Sequence, residues 1–399
     1  MADLPQERIF GAVFPNEEYD ERRRKVRERM RERGIDVLYV SSPKNITYLS
    51  GFDIIWFYHA SPTGLVVRAD SEKVLFFDSY HKRTVNDFSY IDEAVFYATF
   101  PFHPTGPQLD TVINTMKGRG LLKGTIGIEK WAHAPSPAMM QAMEEQMSEA
   151  GAKVVDGSWI VDTVGLTKSP LEIACVKKAA EIADIGIKAG LEAAVPGVTE
   201  LEVNGAMQYA MAKAGGEETA IRCVLSKEGF RMPHKPSTRL RLEAGEMIFA
   251  DVCGVYNRYH ADLCRFFCLG DPSDRAKERM KVLADSIPYV LEKVKLGDPP
   301  TAIGKAIDEY LASMGLTGEV DRGGYDLGLS TPPDWVGHTR VVGGGFVDEG
   351  MELGFVTNYE IFSRGDDTRD VGLIDTLVMT EQGLEVLSNL PMVIMTKGR

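Results

Sequence analysis

The sequence predicts two domains, an α/β layer domain followed by an α+β domain built from a duplication, and three observations carry that expectation. In the first third, apolar strand-like runs alternate with helical runs. The pattern changes near Thr167, where Ser169-Pro170-Leu171-Glu172 supplies the Ser, Pro and Glu of a strong helix start. From there one order of elements, a long helix, a shorter helix and then strands, occurs twice about one hundred residues apart. A chain of 399 residues accommodates two such domains. The boundary is placed just before Asp162, giving 1–161 and 162–399.

Each element follows from its own residues. A charged helix runs from about Glu17 to Arg33 and ends at Gly34, a favourable residue past a helix end. Its basic run, Arg22 to Arg31, sits among glutamates at helical spacing and reads as a solvated face. An apolar strand follows over 36–40, then Pro43 to Gly51, strand-like 64–68 and 73–78, and a β-α-β passage through 124–129 and 152–156. The second domain begins with an alanine-rich helix, 170–194. Pro196-Gly197-Val198-Thr199 then leads into a second capping box ending at Glu202, and a shorter helix runs to Gly215. The order recurs with a helix of about 274–295, Gly297, a helix ending at Gly315, and strands. A glycine turn feeds an apolar strand in each half, at Gly245 and Gly350. Two such halves make a curved sheet with helices outside and a cleft along the pseudo-twofold, a favoured place for a ligand.

Composition narrows the function. Acidic residues outnumber basic ones by 58 to 45, a net charge of −13, which disfavours nucleic acid. No apolar stretch is long enough to span a membrane and the first residues lack a signal-peptide pattern, so a cytoplasmic protein is expected. Five cysteines without a Cys-x-x-Cys pair argue against a disulfide framework.

Asp251 and Asp262 stand eleven positions apart around a strand, a turn and a return strand, so both carboxylates can reach one place. Such a pair suits a two-metal hydrolase, or, left as bare turn or salt-bridge carboxylates, nothing catalytic. His234 lies in a proline-flanked loop and can exchange a proton near neutral pH. His260 sits in the connecting turn, where it either lines the cleft or caps the turn. The glycine-rich loop 323–335 carries Tyr325, a donor to a developing oxyanion, and ends in Pro332-Pro333-Asp334-Trp335. An aromatic cluster in the first domain, Trp56, Tyr58 and His59, can hold a cation.

Taken together, Pro43 to Gly51, Lys168 to Ile173, His234, the Asp251/Asp262 pair, Gly324 to Leu329 and Thr376 to Gly383 resemble the creatinase/prolidase family, the pita-bread hydrolases. The resemblance implies a ribonuclease-H-like N-terminal domain, a pita-bread C-terminal domain and a homodimer. Metal-dependent members have a His where this chain has Tyr325, and two late glutamates that an ungapped alignment places at Val356 and Ile374. Glu360 and Asp375 lie close by, so a shifted alignment restores one acid but not the His. The chain is most similar to the metal-free branch, creatinase and ectoine hydrolase. Creatinase keeps its own His at Tyr325 and an Arg at Ser61 for the creatine carboxylate; ectoine hydrolase shares the Tyr, the Pro-Pro-Asp-Trp turn and a Phe-Tyr loop like Phe57-Tyr58.

The expectation is therefore a metal-independent hydrolase, without cofactor, cleaving a C–N bond in a small zwitterionic amidine, amide or guanidino compound. Asp251 serves as nucleophile or base, Asp262 orients, His234 shuttles the proton and Tyr325 steadies the oxyanion. Trp56, Tyr58, His59, His260, Trp335 and Glu360 contact the substrate. Two alternatives stand beside it: an Xaa-Pro peptidase with two divalent cations and an altered ligand set, and a pita-bread protein that binds partners without catalysis.

Overall fold

The structure is a computed structural model that describes residues 12–397 apart from 56, 58–59, 98–105, 228–233, 334, 346–348 and 365–368. It divides between Gly165 and Leu166 into two compact units. The sequence placed this division at 161/162. It falls later because the short helix α6 (Ile160–Gly165) buries Ile160 and Val161 and packs on the first and second helices of the N-terminal unit.

The N-terminal unit has six strands, β1 (Val37–Val40), β2 (Gly64–Arg68), β3 (Leu75–Asp78), β4 (Glu93–Phe96), β5 (Thr125–Ile128) and β6 (Lys153–Asp156). They lie in the order β4-β3-β2-β1-β5-β6. β1, β2 and β3 pair antiparallel, while β5 and β6 continue parallel from β1, the mixed layer expected of a ribonuclease-H-like domain. Helices α1 (Asn16–Glu32), α2 (Pro43–Ser50), α3 (Lys82–Phe88), α4 (Pro107–Gly118) and α5 (Pro137–Glu149) complete it. Leu109, Val112, Met116, Met139 and Met143 from α4 and α5 pack on Tyr39, Phe77, Ile126 and Ile128 of the sheet.

The basic run of α1 is not the solvated face expected. Arg22 and Arg23 are buried. Arg22 Nη1 donates to Tyr48 O at 2.9 Å and Arg23 Nε to Leu49 O at 2.9 Å. These are carbonyls of the last turn of α2, which have no partner within their own helix. A guanidinium supplies several donors and a flat face, and both are used: Arg22 lies over the Tyr48 ring at 4.4 Å and Arg23 over Tyr90 at 4.6 Å. Only the opposite side of α1 is solvated, where Arg24 pairs with Glu21 at 2.7 Å.

The C-terminal unit opens with α7 (Pro170–Ala193) and α8 (Glu200–Lys213), both with complete capping boxes at Ser169/Glu172 and Thr199/Glu202. Strands β7 (Val224–Ser226), β8 (Met247–Tyr256) and β9 (Tyr259–Cys268) finish the first half. The second half repeats the order with α9 (Asp274–Lys293), α10 (Thr301–Ser313), β10 (Val320–Gly323), β11 (Val356–Arg364) and β12 (Arg369–Thr380). The main path of the sheet runs β10-β11-β12-β9-β8-β7, so one half mirrors the other about the β12/β9 seam. Two short strands, β13 (Gly383–Val386) and β14 (Met395–Thr396), pair with β12 and β9.

Side chains alternate across a strand, and here the alternation separates two faces. Ile248, Ala250, Val252, Leu263 and Phe267 pack under α7 and α8, together with Ile182, Ile187 and Met207. Tyr359, Ile361, Leu373 and Leu377 pack under α9 and α10. The intervening residues, Phe249, Cys264, Phe266, Phe362 and Ile374, form a cluster on the face without helices. α7 lies directly against β8 because residue 254 is Gly: a Cβ there would stand 2.0 Å from Ala179 O.

On the helix-covered face, beside the seam, Arg265 and Asp375 are fully buried and paired at 3.1 Å. Burial alone would expel both charges; Arg265 also donates to the carbonyls of Pro391 and Ile374 at 3.1 Å each, so its fork is satisfied. Asp375 therefore belongs to the framework and faces away from Asp251 and Asp262. Arg265→Met strands a carboxyl in the core and is expected to cost about 3–5 kcal/mol in urea unfolding. Adding Asp375→Leu should recover much of that loss; a double variant as unstable as the single one would show that the pair is not what Arg265 serves.

Candidate active site

The β8–β9 hairpin sets the first two residues. Asp251 pairs with Cys264 and Asp262 with Cys253, so the two carboxylates are diagonal neighbours on the helix-free face. Asp262 is buried and Asp251 half-buried, an oxygen of each is shut off from solvent, and carboxyl groups this close favour holding one proton between them. Burial, then the neighbouring charges of Asp262 and Glu360, raises the Asp251 carboxyl well above its ordinary value. Burial also raises Asp262, to about 6, against the opposing pull of its hydrogen bonds. Oδ1 of each aspartate has no hydrogen-bond partner among the described residues.

β11 brings the next residues from the other half. Asn358 is the hub: its Nδ2 donates to Asp262 Oδ2 at 2.9 Å and to Glu360 Oε1 at 2.7 Å. Its Oδ1 accepts from Tyr325 N at 2.7 Å, fastening the glycine-rich loop to the strand. Gly324 makes this approach possible, since a Cβ there would meet Asn358 O at 2.4 Å. Thr376 of β12 joins the seam, accepting from Asp262 N at 2.8 Å and donating to Asp262 O at 2.9 Å.

Tyr325 is largely buried within the field of Asp262, Glu360 and Asp251, and burial raises its phenol well above the ordinary range. Its oxygen accepts from Trp335 Nε1 at 3.0 Å. The phenol proton has no acceptor among the described residues, so it is free to donate to a ligand. Arg340 lies over the same ring at 5.8 Å.

The remaining expected residues separate. His260 is buried and neutral, held near 3 by burial and then by Arg258. Nδ1 donates to Arg258 O at 2.9 Å and Nε2 accepts from Ala220 N at 3.2 Å, so both nitrogens are consumed in holding loops. Of its two readings the structure selects the turn, although the ring stands 6.1 Å from Trp335. His234 is solvent-exposed with a φ of 66°, and among the described residues no hydrogen bond or ion pair joins it to the aspartates. Trp56, Tyr58 and His59 lie outside the described residues.

The strand register places Glu360, not Val356, beside the aspartates. Val356 pairs with Val378, four residues from the acids, whereas Glu360 pairs with Ile374 and shares the Asn358 amide with Asp262. Glu360 is thus the late acid that shares the Asn358 amide with Asp262, and its cross-strand partner, Ile374, is apolar. Asn358, Thr376 and Arg340 were not singled out from sequence. The polar residues Asn358 and Glu360 between the core residues Tyr359 and Ile361 were the available signal.

These residues do not fit a two-cation centre. Two cations need a ring of anionic and imidazole donors. Here a neutral phenol and the Ile374 side chain stand among the carboxylates, and Glu360 is tied to Asn358. Among the described residues no group of three or more His, Cys, Asp or Glu side chains is arranged to hold a metal ion.

Comparison with known proteins locates the fold among relatives. Ectoine hydrolase of Halomonas elongata is 28% identical over 96% of this chain and 98% of its own length. Xaa-Pro dipeptidase of Pyrococcus furiosus is 25% identical over 74% of this chain and 78% of its own. The crystal structure of X-Pro aminopeptidase from Thermotoga maritima superposes with a TM-score of 0.77 at 19% identity, covering 94% of this chain and 99% of that one. Residues 22–164 match the creatinase/prolidase N-terminal domain and residues 174–381 match metallopeptidase family M24. With its mixed-sheet N-terminal unit and its duplicated, helix-backed sheet, the chain belongs to metallopeptidase family M24, a family of hydrolases.

Proposed function

We propose that this M24 hydrolase works without a metal ion, cleaving a C–N bond in a small zwitterionic amide, amidine or guanidino compound. The single observation that carries the reading is the Asp251–Asp262 pair set side by side by the hairpin register, with burial raising both carboxyls and a neutral phenol beside them. Two carboxylates so close cannot both ionise, and the proton they retain does the work of an acid while the other carboxylate acts as a base.

In this mechanism Asp262 takes a proton from water as the water oxygen bonds to the acyl or amidine carbon. The electron pair of the C=O or C=N bond moves to its heteroatom, which the Tyr325 hydroxyl stabilises by hydrogen bonding. Asp251 then gives its proton to the departing nitrogen as the C–N bond breaks and the displaced pair returns to carbon. The dyad carries one proton before and after the cycle and two in the intermediate, and passage of the last proton from Asp262 to Asp251 resets the pair. Trp335 fixes the phenol, and Asn358 keeps Asp262 in place. His234, exposed as it stands, is not needed for either transfer.

The resemblance to ectoine hydrolase across nearly the whole of both chains supports a cyclic amidine as substrate, and ectoine is the first compound to try. The likeness to an Xaa-Pro dipeptidase supports a second reading, hydrolysis of a prolyl peptide with bound cations.

Screening ectoine, guanidino acids and Xaa-Pro dipeptides with and without chelator separates these readings. Turnover of a zwitterionic amidine, amide or guanidino compound within about twofold of the untreated rate after chelation and desalting supports the first. Two ions per chain by elemental analysis, with activity lost on their removal, supports the second. Asp251→Asn and Asp262→Asn should each lower kcat about 10²–10⁴-fold while the melting temperature stays near wild type. With Asp262 ionising at about 6, kcat/KM should climb as the pH rises through that value and fall again where Asp251 loses its proton. A rate flat from pH 5 to 8 would sink the dyad.

A further inference from the structure

We infer that Thr376 is a positioning residue for the reaction: its hydroxyl holds the main chain of Asp262 and so aims the open carboxylate oxygen of that residue. The inference rests on the hydrolytic reading above and adds to it a group that takes no part in either proton transfer.

Backbone pairing across the seam centres on Ile374 and Cys264. Two residues further along each strand, the same antiparallel register sets Thr376 opposite Asp262. There a side chain replaces the ladder. Thr376 Oγ1 accepts from Asp262 N at 2.8 Å and donates to Asp262 O at 2.9 Å. One hydroxyl thus supplies both the acceptor and the donor that an opposing residue gives in an exchanged backbone pair. The Thr376 carbonyl is turned elsewhere, accepting from Leu387 N at 3.0 Å, as β12 goes on to pair with β13.

On its other side Thr376 pairs with Asn358, so two neighbours on one rung hold Asp262 at two points. The hydroxyl fixes the main chain, and the Asn358 amide fixes Oδ2 at 2.9 Å. That amide cannot turn round, because its Oδ1 faces the Tyr325 N–H at 2.7 Å. With the main chain and one oxygen pinned, the direction of Asp262 Oδ1 is set, and this is the oxygen without a partner among the described residues. A base held in this way meets water in one geometry, and a small displacement there lowers the rate more than the binding. The titratable groups around Asp262 are Asp251 and Cys253 of β8, Cys264 of β9, Cys223 before β7, Glu360 of β11, Asp375 of β12 and Tyr325. None of them bonds to the Thr376 hydroxyl among the described residues, so its removal leaves the surrounding charge unchanged.

The test compares wild type with Thr376→Val, which keeps the shape without the hydroxyl, and Thr376→Ser, which keeps the hydroxyl. Ectoine hydrolysis is followed against pH, and the aspartate carboxyls are titrated by carbon NMR, with Asp262→Asn identifying the signal. Thr376→Val should lower kcat on ectoine about 10–100-fold while KM stays within about threefold. A loosened Asp262 gives up part of the Asn358 bond that favours its charged form. Its ionisation, about 6 in wild type, should therefore rise by about one unit, and the low-pH limb of kcat/KM should rise with it. Thr376→Ser should restore both. A Thr376→Val protein that melts lower yet keeps the wild-type titration and limb overturns the inference, and so does a Thr376→Ser protein as impaired as Thr376→Val. If Thr376→Val does not fold, Thr376→Cys, a weaker donor and acceptor, is judged by the same criteria. If the titration moves as stated while wild type leaves ectoine intact, Thr376 still positions Asp262, and it is the ectoine reading that fails.

Discussion

Two carboxylates forced onto adjacent rungs of one dry sheet face are the constraint from which the rest of the site follows. The β8–β9 register sets Asp251 and Asp262 side by side with an oxygen of each shut off from solvent, so their mutual repulsion has to be relieved locally. A retained proton relieves part of it and the Asn358 amide relieves more. The phenol of Tyr325 adds a neutral donor, where an anion beyond Glu360 would have raised the strain further. Each of these groups comes from a different strand or loop, and each reaches the acids because the sheet is folded about the β12/β9 seam.

The framework and the site divide the work of burying charge between two faces of one sheet. On the covered face, Arg265 pairs with Asp375 and holds strands together, although burial still raises the Asp375 carboxyl to about 6. On the helix-free face, compensation is left incomplete, with an unpartnered oxygen on each aspartate. Incomplete compensation is costly to a scaffold, and it is what leaves acids ready to react with a ligand.

Local signals in the sequence gave the structure most faithfully. The capping boxes at Ser169 and Thr199, the paired helices of each half and the hairpin bearing Asp251 and Asp262 all depend on residues close in sequence, and all are found. What escaped depended on partners far away. The burial of Arg22 and Arg23 rests on carbonyls about twenty-six positions on, which no charge pattern in α1 reveals. That Glu360 stands beside Asp262 while Val356 lies further along the strand is a property of the β11–β12 register, which local sequence does not display. His260 was left open between cleft and turn because the answer lay in Ala220, forty residues back. Asn358 and Arg340 passed unnoticed because neither residue type announces chemistry until its neighbours are known.

The mirrored strand order has a further consequence for how this chain reaches competence. Asp251 and Asp262 belong to one half, Tyr325, Asn358 and Glu360 to the other, and the seam that unites them joins residues more than one hundred positions apart. Such distant pairings form slowly, after each hairpin has closed on itself. Neither half carries the whole set of groups alone, so recovered turnover during refolding marks the moment the halves meet.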